Sequence, residues 1–218
     1  CFPYYLLELG DTLARFFLVR HGETMWNRQL KYQGQSDIPL TDEGRAQARI
    51  LSERLKHERI DAIYASDLER TVETAEIIAE PHGLKVLRAP LMRELNFGLW
   101  EGMTYDEIMQ KWAQEYRDWQ ADPYNKTPPE GESLSDLCER VSEFLKEAAN
   151  KHPDGRILVV SHAGPIRAIL SVLLNLRQDF FWKFKISNTS VTIIEYDGQK
   201  ELPESDAFIV TVNNTYHL

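Results

Sequence analysis

Cysteine is nearly absent: Cys1 and Cys138 are the only two in 218 residues. That is too few for a disulfide framework, so a reducing, cytoplasmic setting is expected. Long apolar runs are missing as well. Nothing approaches the roughly 20 residues needed to span a bilayer, and Glu8 and Asp11 stand where a signal peptide would carry basic residues. Neither a membrane partner nor export is expected. Net positive charge is also lacking. A formal charge of −9 argues against nucleic acid as a partner, because binding a phosphate backbone relies on Lys and Arg releasing counterions. Any phosphate must therefore be held locally. There is no internal repeat or low-complexity stretch, and no dense His/Cys/Asp cluster that would point to a metal site.

What is present is globular. Hydrophobic residues make up 43% and charged residues 27%, with the 11 Gly and 10 Pro dispersed, and the length suits one α/β domain. One domain is expected over residues 13–218, with a helical, aromatic-rich insertion at about 100–131 that covers the site. Residues 1–12 lack an initiating Met and precede the first clear strand; they read as a leader or extension and are set aside.

Phe16-Phe17-Leu18-Val19 is a short apolar run that stops at Arg20-His21-Gly22, the pattern of a buried strand followed by a tight loop. Thr41 caps a predicted helix running to about His57, and Ile60 to Ala65 reads as a second strand. A helix follows from Ser66 to Glu80, capped by Ser66 or Asp67, and then a short strand at Lys85-Val86-Leu87. Met103 to Gln120 reads as helical and leads into irregular chain from Asp122 to Gly131. Ser133 opens a capping-box helix whose apolar stripe includes Cys138, which places that thiol in the core rather than in a nucleophile's role. Arg156 to Val160 is a buried strand ending at Ser161-His162-Ala163-Gly164, with Pro165 near the start of a helix to about Leu174. Ser190 to Tyr196 and Ala207 to Val212 read as closing strands joined by a turn at Asp197-Gly198.

The fold expected from this order is an α/β sandwich with a mostly parallel central sheet. In such sheets ligands collect outside the carboxyl ends of the strands, so His21 and His162, each ending a separate apolar strand, are placed to share one pocket. Arg20 precedes His21, and Arg70 sits in the first turn of the helix after the second strand. Guanidinium groups match phosphate oxygens bidentately. The alternative reading of Arg70 is a solvated helix arginine. Gly22 allows close backbone approach to a ligand, and Thr24 and Asn27 offer neutral donors. A nucleophilic imidazole needs one ring nitrogen free and the other fixed, which a backbone carbonyl can do for His21. The proton for a leaving alkoxide is assigned to Glu94, where apolar neighbours and a dianionic substrate would raise the carboxyl's pKa; the alternative for Glu94 is a salt bridge with Arg93. Trp26, Trp100, Tyr105, Trp112, Tyr116 and Trp119 are candidates to line the substrate pocket, with at least half expected to pack the insertion against the core instead.

These residues stand in a recognisable order. Leu18-Val19-Arg20-His21-Gly22-Glu23-Thr24 resembles the signature of the histidine phosphatase superfamily, with a phosphoglycerate mutase-like fold. The likeness continues through Pro39-Leu40-Thr41, Gly44, Ser66-Asp67-Leu68-Glu69-Arg70-Thr71, Glu94, Phe97-Gly98-Leu99-Trp100-Glu101-Gly102, Gly131-Glu132-Ser133 and Ser161-His162-Ala163-Gly164. It implies a three-layer α/β/α domain, His21 as the phosphorylated nucleophile, Arg20, Arg70 and His162 as the phosphate pocket, Asn27 as a further phosphate contact and Glu94 as the proton donor. Gly22, Thr24 and Ala163 complete the expected phosphate- or substrate-binding positions. The family implies no metal and no cofactor. Phe-Gly-x-Trp-Glu-Gly after the acid resembles the phosphatase branch, including α-ribazole and broad-specificity phosphatases. A small phosphate ester is the expected substrate, with cofactor-dependent phosphoglycerate mutase as the rival enzyme, a phospho-ligand binding module as the rival of another class, and homodimerisation left open.

Overall fold

The computed structural model describes residues 13–176, 178–199 and 207–218; the stretch read as a leader or extension lies outside them. The elements in chain order are β1 (Ala14–Arg20), α1 (Met25–Arg28), α2 (Asp42–Leu55), β2 (Ala62–Ala65), α3 (Glu69–Ala79), β3 (Val86–Arg88), α4 (Tyr105–Lys111), α5 (Ala113–Ala121), α6 (Leu134–Lys151), β4 (Arg156–Ser161), α7 (Ala163–Leu173), β5 (Val191–Tyr196) and β6 (Ala207–Asn214), with short 3₁₀ turns between some of them.

The six strands form one sheet in the order β3-β2-β4-β1-β5-β6. β3, β2, β4 and β1 run parallel, and β5 is antiparallel to β1 and to β6. Side chains on a strand alternate between faces, and here both faces are apolar. Phe16, Leu18, Ile157 and Val159 join α6 and α7 on one side. Phe17, Val19, Leu158 and Val160 meet Leu51 of α2 and Val72, Ala75 and Ile78 of α3 on the other. The result is the three-layer α/β sandwich that the near-continuous apolar runs of β1 and β4 imply. Cys138 is buried in the first of these cores.

Several boundaries differ from the sequence reading, for local reasons. α3 starts at Glu69 with Leu68 at its N-cap and no side-chain cap, because the two expected caps are engaged elsewhere. Ser66 Oγ bonds His162 Nε2 at 2.9 Å, and the Asp67 carboxylate takes a two-pronged bond from Arg93 at 2.7 and 2.6 Å. The helix expected over Met103 to Gln120 is broken at Trp112, whose φ of −133° and ψ of 32° leave the helical region between α4 and α5. Tyr196 pairs with Ala207, so the link between β5 and β6 is longer than the tight turn expected at Asp197-Gly198; residues 200–206 lie outside the described residues. α6 keeps its capping box, with Ser133 and Asp136 exchanging bonds. No helix among the described residues is long and apolar enough to cross a membrane.

β1 and β4 fix the site. They are adjacent and parallel, with Arg20 in register with Ser161, so the next residue of each strand, His21 and His162, emerges side by side at the same sheet edge.

Candidate active site

The two imidazoles meet with ring centroids 5.2 Å apart, inclined at 61°. His21 is only 2% exposed. Its Nδ1 lies 2.7 Å from the carbonyl oxygen of Gly22. A carbonyl can only accept, so Nδ1 carries the proton and Nε2 is left with its lone pair. Burial holds the His21 pKa well below 6.5, helped by the cationic Arg70 and Arg20, so the ring is neutral at physiological pH. His162 is fully buried, and its pKa is likewise lowered by burial and then by Arg70. Its Nε2 contacts Ser66 Oγ, while its Nδ1 is buried with no hydrogen-bond partner among the described residues.

Two guanidinium groups flank these rings. Arg70 is fully buried rather than solvated; it donates from Nη1 to Ser36 O and from Nη2 to Gly34 O, both at 2.7 Å. Arg20 Nη1 donates to Ile186 O at 2.7 Å. The backbone thus holds one terminal nitrogen of Arg20 and both of Arg70, and in each group the buried Nε has no partner among the described residues. Burial lowers both pKa values to about 10, with Glu94 opposing the shift, so both remain cationic at neutral pH.

Glu94 does not pair with Arg93, which is bound to Asp67. Its Oε1 accepts from Leu95 N at 2.8 Å and from Gly164 N at 3.1 Å. A Cβ on Gly164 would collide with that same oxygen, so only glycine at this position lets the first turn of α7 come close enough to hold the carboxylate. The loop carrying Glu94 is held by Arg140, which donates to the carbonyl oxygens of Leu91, Arg93 and Glu94 and pairs with Glu132 at 2.7 Å. Glu132 also accepts from Asn96 N.

A cavity of about 290 Å³ opens over this edge; Arg20, His21, Asn27, Arg70 and Glu94 line it. Asn27 Oδ1 accepts from Thr24 N at 3.0 Å, which turns the amide NH₂ away from that contact. Gly22, Thr24, Ala163 and His162 are not among the lining residues. Gly22 N donates to Thr74 Oγ1, and a Cβ at Gly22 would run into the carbonyl oxygen of Gly44, so this glycine permits the close packing of two backbones. Thr24 is fully buried and caps α1, with its hydroxyl 2.9 Å from Gln33 Oε1. Ala163 is the first residue of α7.

At least half of the six aromatic candidates pack into the core, as expected. Trp100, Tyr116 and Trp119 are core residues, and none of the six candidates lines the cavity. Its aromatic residues are Tyr32, Phe97, Phe181 and Trp182, joined by Arg167 and Lys31. α5 supports this wall from behind: Tyr116 Oη is 2.9 Å from Tyr32 Oη, and the Trp119 ring contacts those of Phe97 and Trp182. Among the described residues, no cluster of three or more His, Cys, Asp or Glu is placed to hold a metal ion; the positive charge facing the cavity comes from arginine and lysine.

The sequence model of the histidine phosphatase superfamily (branch 1) matches residues 16–205. The chain belongs to that superfamily. Within it, this histidine phosphatase is 35% identical over 206 residues to phosphoserine phosphatase 1 of Hydrogenobacter thermophilus, covering 94% of this chain and 95% of the relative. It is 36% identical over 210 residues, with the same coverage of each chain, to a probable phosphoglycerate mutase of Yersinia enterocolitica. The crystal structure of the α-ribazole phosphatase from Shigella flexneri superimposes with a TM-score of 0.81 at 30% identity, covering 92% of this chain and 96% of that one. The chain is thus an enzyme of the phosphatase branch, as its sequence implies.

Proposed function

We propose that this histidine phosphatase is a phosphomonoesterase that carries the phosphoryl group of a small metabolite on His21. The observation that supports this most directly is the coincidence, at one sheet edge, of three buried nitrogens without partners among the described residues: Arg20 Nε, Arg70 Nε and His162 Nδ1. Buried N–H groups left unpaired cost about 1–3 kcal/mol each, and a phosphoryl group supplies acceptor oxygens for all of them. Ser66 Oγ already takes a long bond from Leu68 N, so its own proton is free for His162 Nε2, which puts the imidazole proton on Nδ1 as a donor for a phosphoryl oxygen.

In the first step the neutral Nε2 of His21 attacks phosphorus and the P–O bond to the alcohol breaks. Glu94 gives its proton to the leaving alkoxide. In the second, water attacks the phosphohistidine, Glu94 takes the water's proton, and phosphate leaves with His21 restored. Fixed cations at the floor of the cavity stabilise the charge that builds on the equatorial oxygens. Asn27 adds a neutral donor. A mere binding module would have no use for a proton donor held this carefully.

The relatives' names suggest phosphoserine, phosphoglycerates and α-ribazole phosphate as first substrates to test. Phosphate release should be measured from these, a sugar phosphate and an aryl phosphate, with and without excess chelator. The expected result is release that chelator leaves intact; loss restored by a divalent cation would overturn the mechanism. The likeness to a phosphoglycerate mutase supports a second reading, in which phosphohistidine returns its phosphoryl group to a second oxygen of the substrate. Isomerisation of phosphoglycerate primed by a bisphosphate, without net phosphate release, would favour it.

A further inference from the structure

A third guanidinium lines the cavity, and the phosphoryl chemistry does not use it. Arg167 is the only charged residue of α7. It follows Gly164, a lining residue, by one helical turn, and it lines the cavity itself beside Glu94. Its Nε donates to Phe184 O at 2.8 Å, and its guanidinium stacks over the Trp182 ring at 5.6 Å. The stem is therefore fixed. Nη1 and Nη2 have no hydrogen-bond or ion-pair partner among the described residues.

We infer that Arg167 is a specificity-determining residue that binds a carboxylate on the alcohol portion of the substrate, so that the preferred esters are small phosphomonoesters carrying a carboxylate close to the phosphate. This rests on the phosphomonoesterase reading and deepens it. The physical case is one of geometry and charge. The phosphoryl group belongs between Arg20, Arg70 and His162, and Glu94 stands where the ester oxygen leaves, so the alcohol portion extends toward the wall of Tyr32, Trp182 and Arg167. A guanidinium held by its Nε presents two remaining N–H edges as a fork that fits a carboxylate. Lys31, also on the wall, adds charge of the same sign. A cavity of about 290 Å³ suits a three- or four-carbon acid.

The test compares kcat/KM within pairs of esters that differ only at the carboxylate: phosphoserine against ethanolamine phosphate, and 3-phosphoglycerate against glycerol 3-phosphate. The unmodified enzyme should favour the acid of each pair by roughly 10- to 100-fold, the range for a hydrogen-bonded charge pair in a partly buried site. Arg167→Gln should collapse that ratio toward one, mainly through KM, and Arg167→Lys, which keeps the charge, should retain part of it. A ratio near one in the unmodified enzyme, or an unchanged ratio in Arg167→Gln, overturns the inference. Equal losses on both esters with a shifted pH profile would make Arg167 a positioning partner of Glu94 and also overturn it. An aryl phosphate included in every assay separates the two levels: its hydrolysis with no acid preference removes the carboxylate site alone, whereas no release from any ester removes the phosphomonoesterase reading and the site with it.

Discussion

Replacing His21 by alanine should lower phosphate release by about 10⁴-fold or more, the scale seen when a covalent nucleophile is removed, while the fold survives. The imidazole is buried, so survival has to be argued. The backbone at His21 stays anchored whatever the side chain: its N–H donates to Ser161 O at 3.0 Å and its carbonyl accepts from Asn188 Nδ2 at 2.9 Å. The substitution removes one side-chain hydrogen bond, to Gly22 O, and opens a small void beside His162, at a cost of roughly 1–3 kcal/mol. Circular dichroism and thermal unfolding report the fold, and phosphate release from an aryl ester reports the chemistry. Retained turnover in a folded His21→Ala protein would contradict the mechanism.

Glu94→Gln should separate substrates by their leaving groups. Glutamine keeps the shape and one oxygen for Leu95 N and Gly164 N, but has no proton to give. Alkyl phosphates, whose alkoxides leave poorly, should lose roughly 10²- to 10⁴-fold in the rate of phosphoryl transfer, the usual worth of a placed general acid. An activated aryl phosphate, whose phenolate leaves unaided, should lose far less in that step. Single-turnover measurement is needed, because the second step draws on Glu94 for both substrates. Equal losses in the first step would mean that another group supplies the proton.

The layered fold and the two histidines were legible because both depend on patterns that sequence displays directly. Apolar runs as tight as Phe16–Val19 and Ile157–Val160 have few homes besides the centre of a sheet covered on both faces, and a histidine at the end of each then has to emerge at one edge. Arg70 was legible from its place in a helix's first turn, though nothing nearby told a buried arginine from a solvated one. That was decided by the carbonyls of Gly34 and Ser36, far away in the chain. The substrate wall was not legible. Aromatic content identifies residues that bury surface, not which surface they bury against: Trp100, Tyr116 and Trp119 went into the core, while Tyr32, Phe181 and Trp182 reached the cavity. Arg140 sits on the polar side of an amphipathic helix and carried no sequence signal. Arg167 did carry one, a single charge in the otherwise apolar α7, which is the mark of a side chain with a specific partner. The caps of α3 were misread because Ser66 and Asp67 bond to His162 and Arg93, groups distant in sequence.

The central claim is that the phosphoryl group rests on His21, and the most direct measurement is to trap it there. The enzyme should be mixed with a good substrate, quenched in base within milliseconds, digested, and the peptide spanning His21 examined by mass spectrometry. A phosphorylated peptide that is stable in base, labile in acid, formed at the rate of the first turnover and absent from His21→Ala is the predicted result. Full turnover with no phosphorylated His21, or with the label on another residue, would contradict the account.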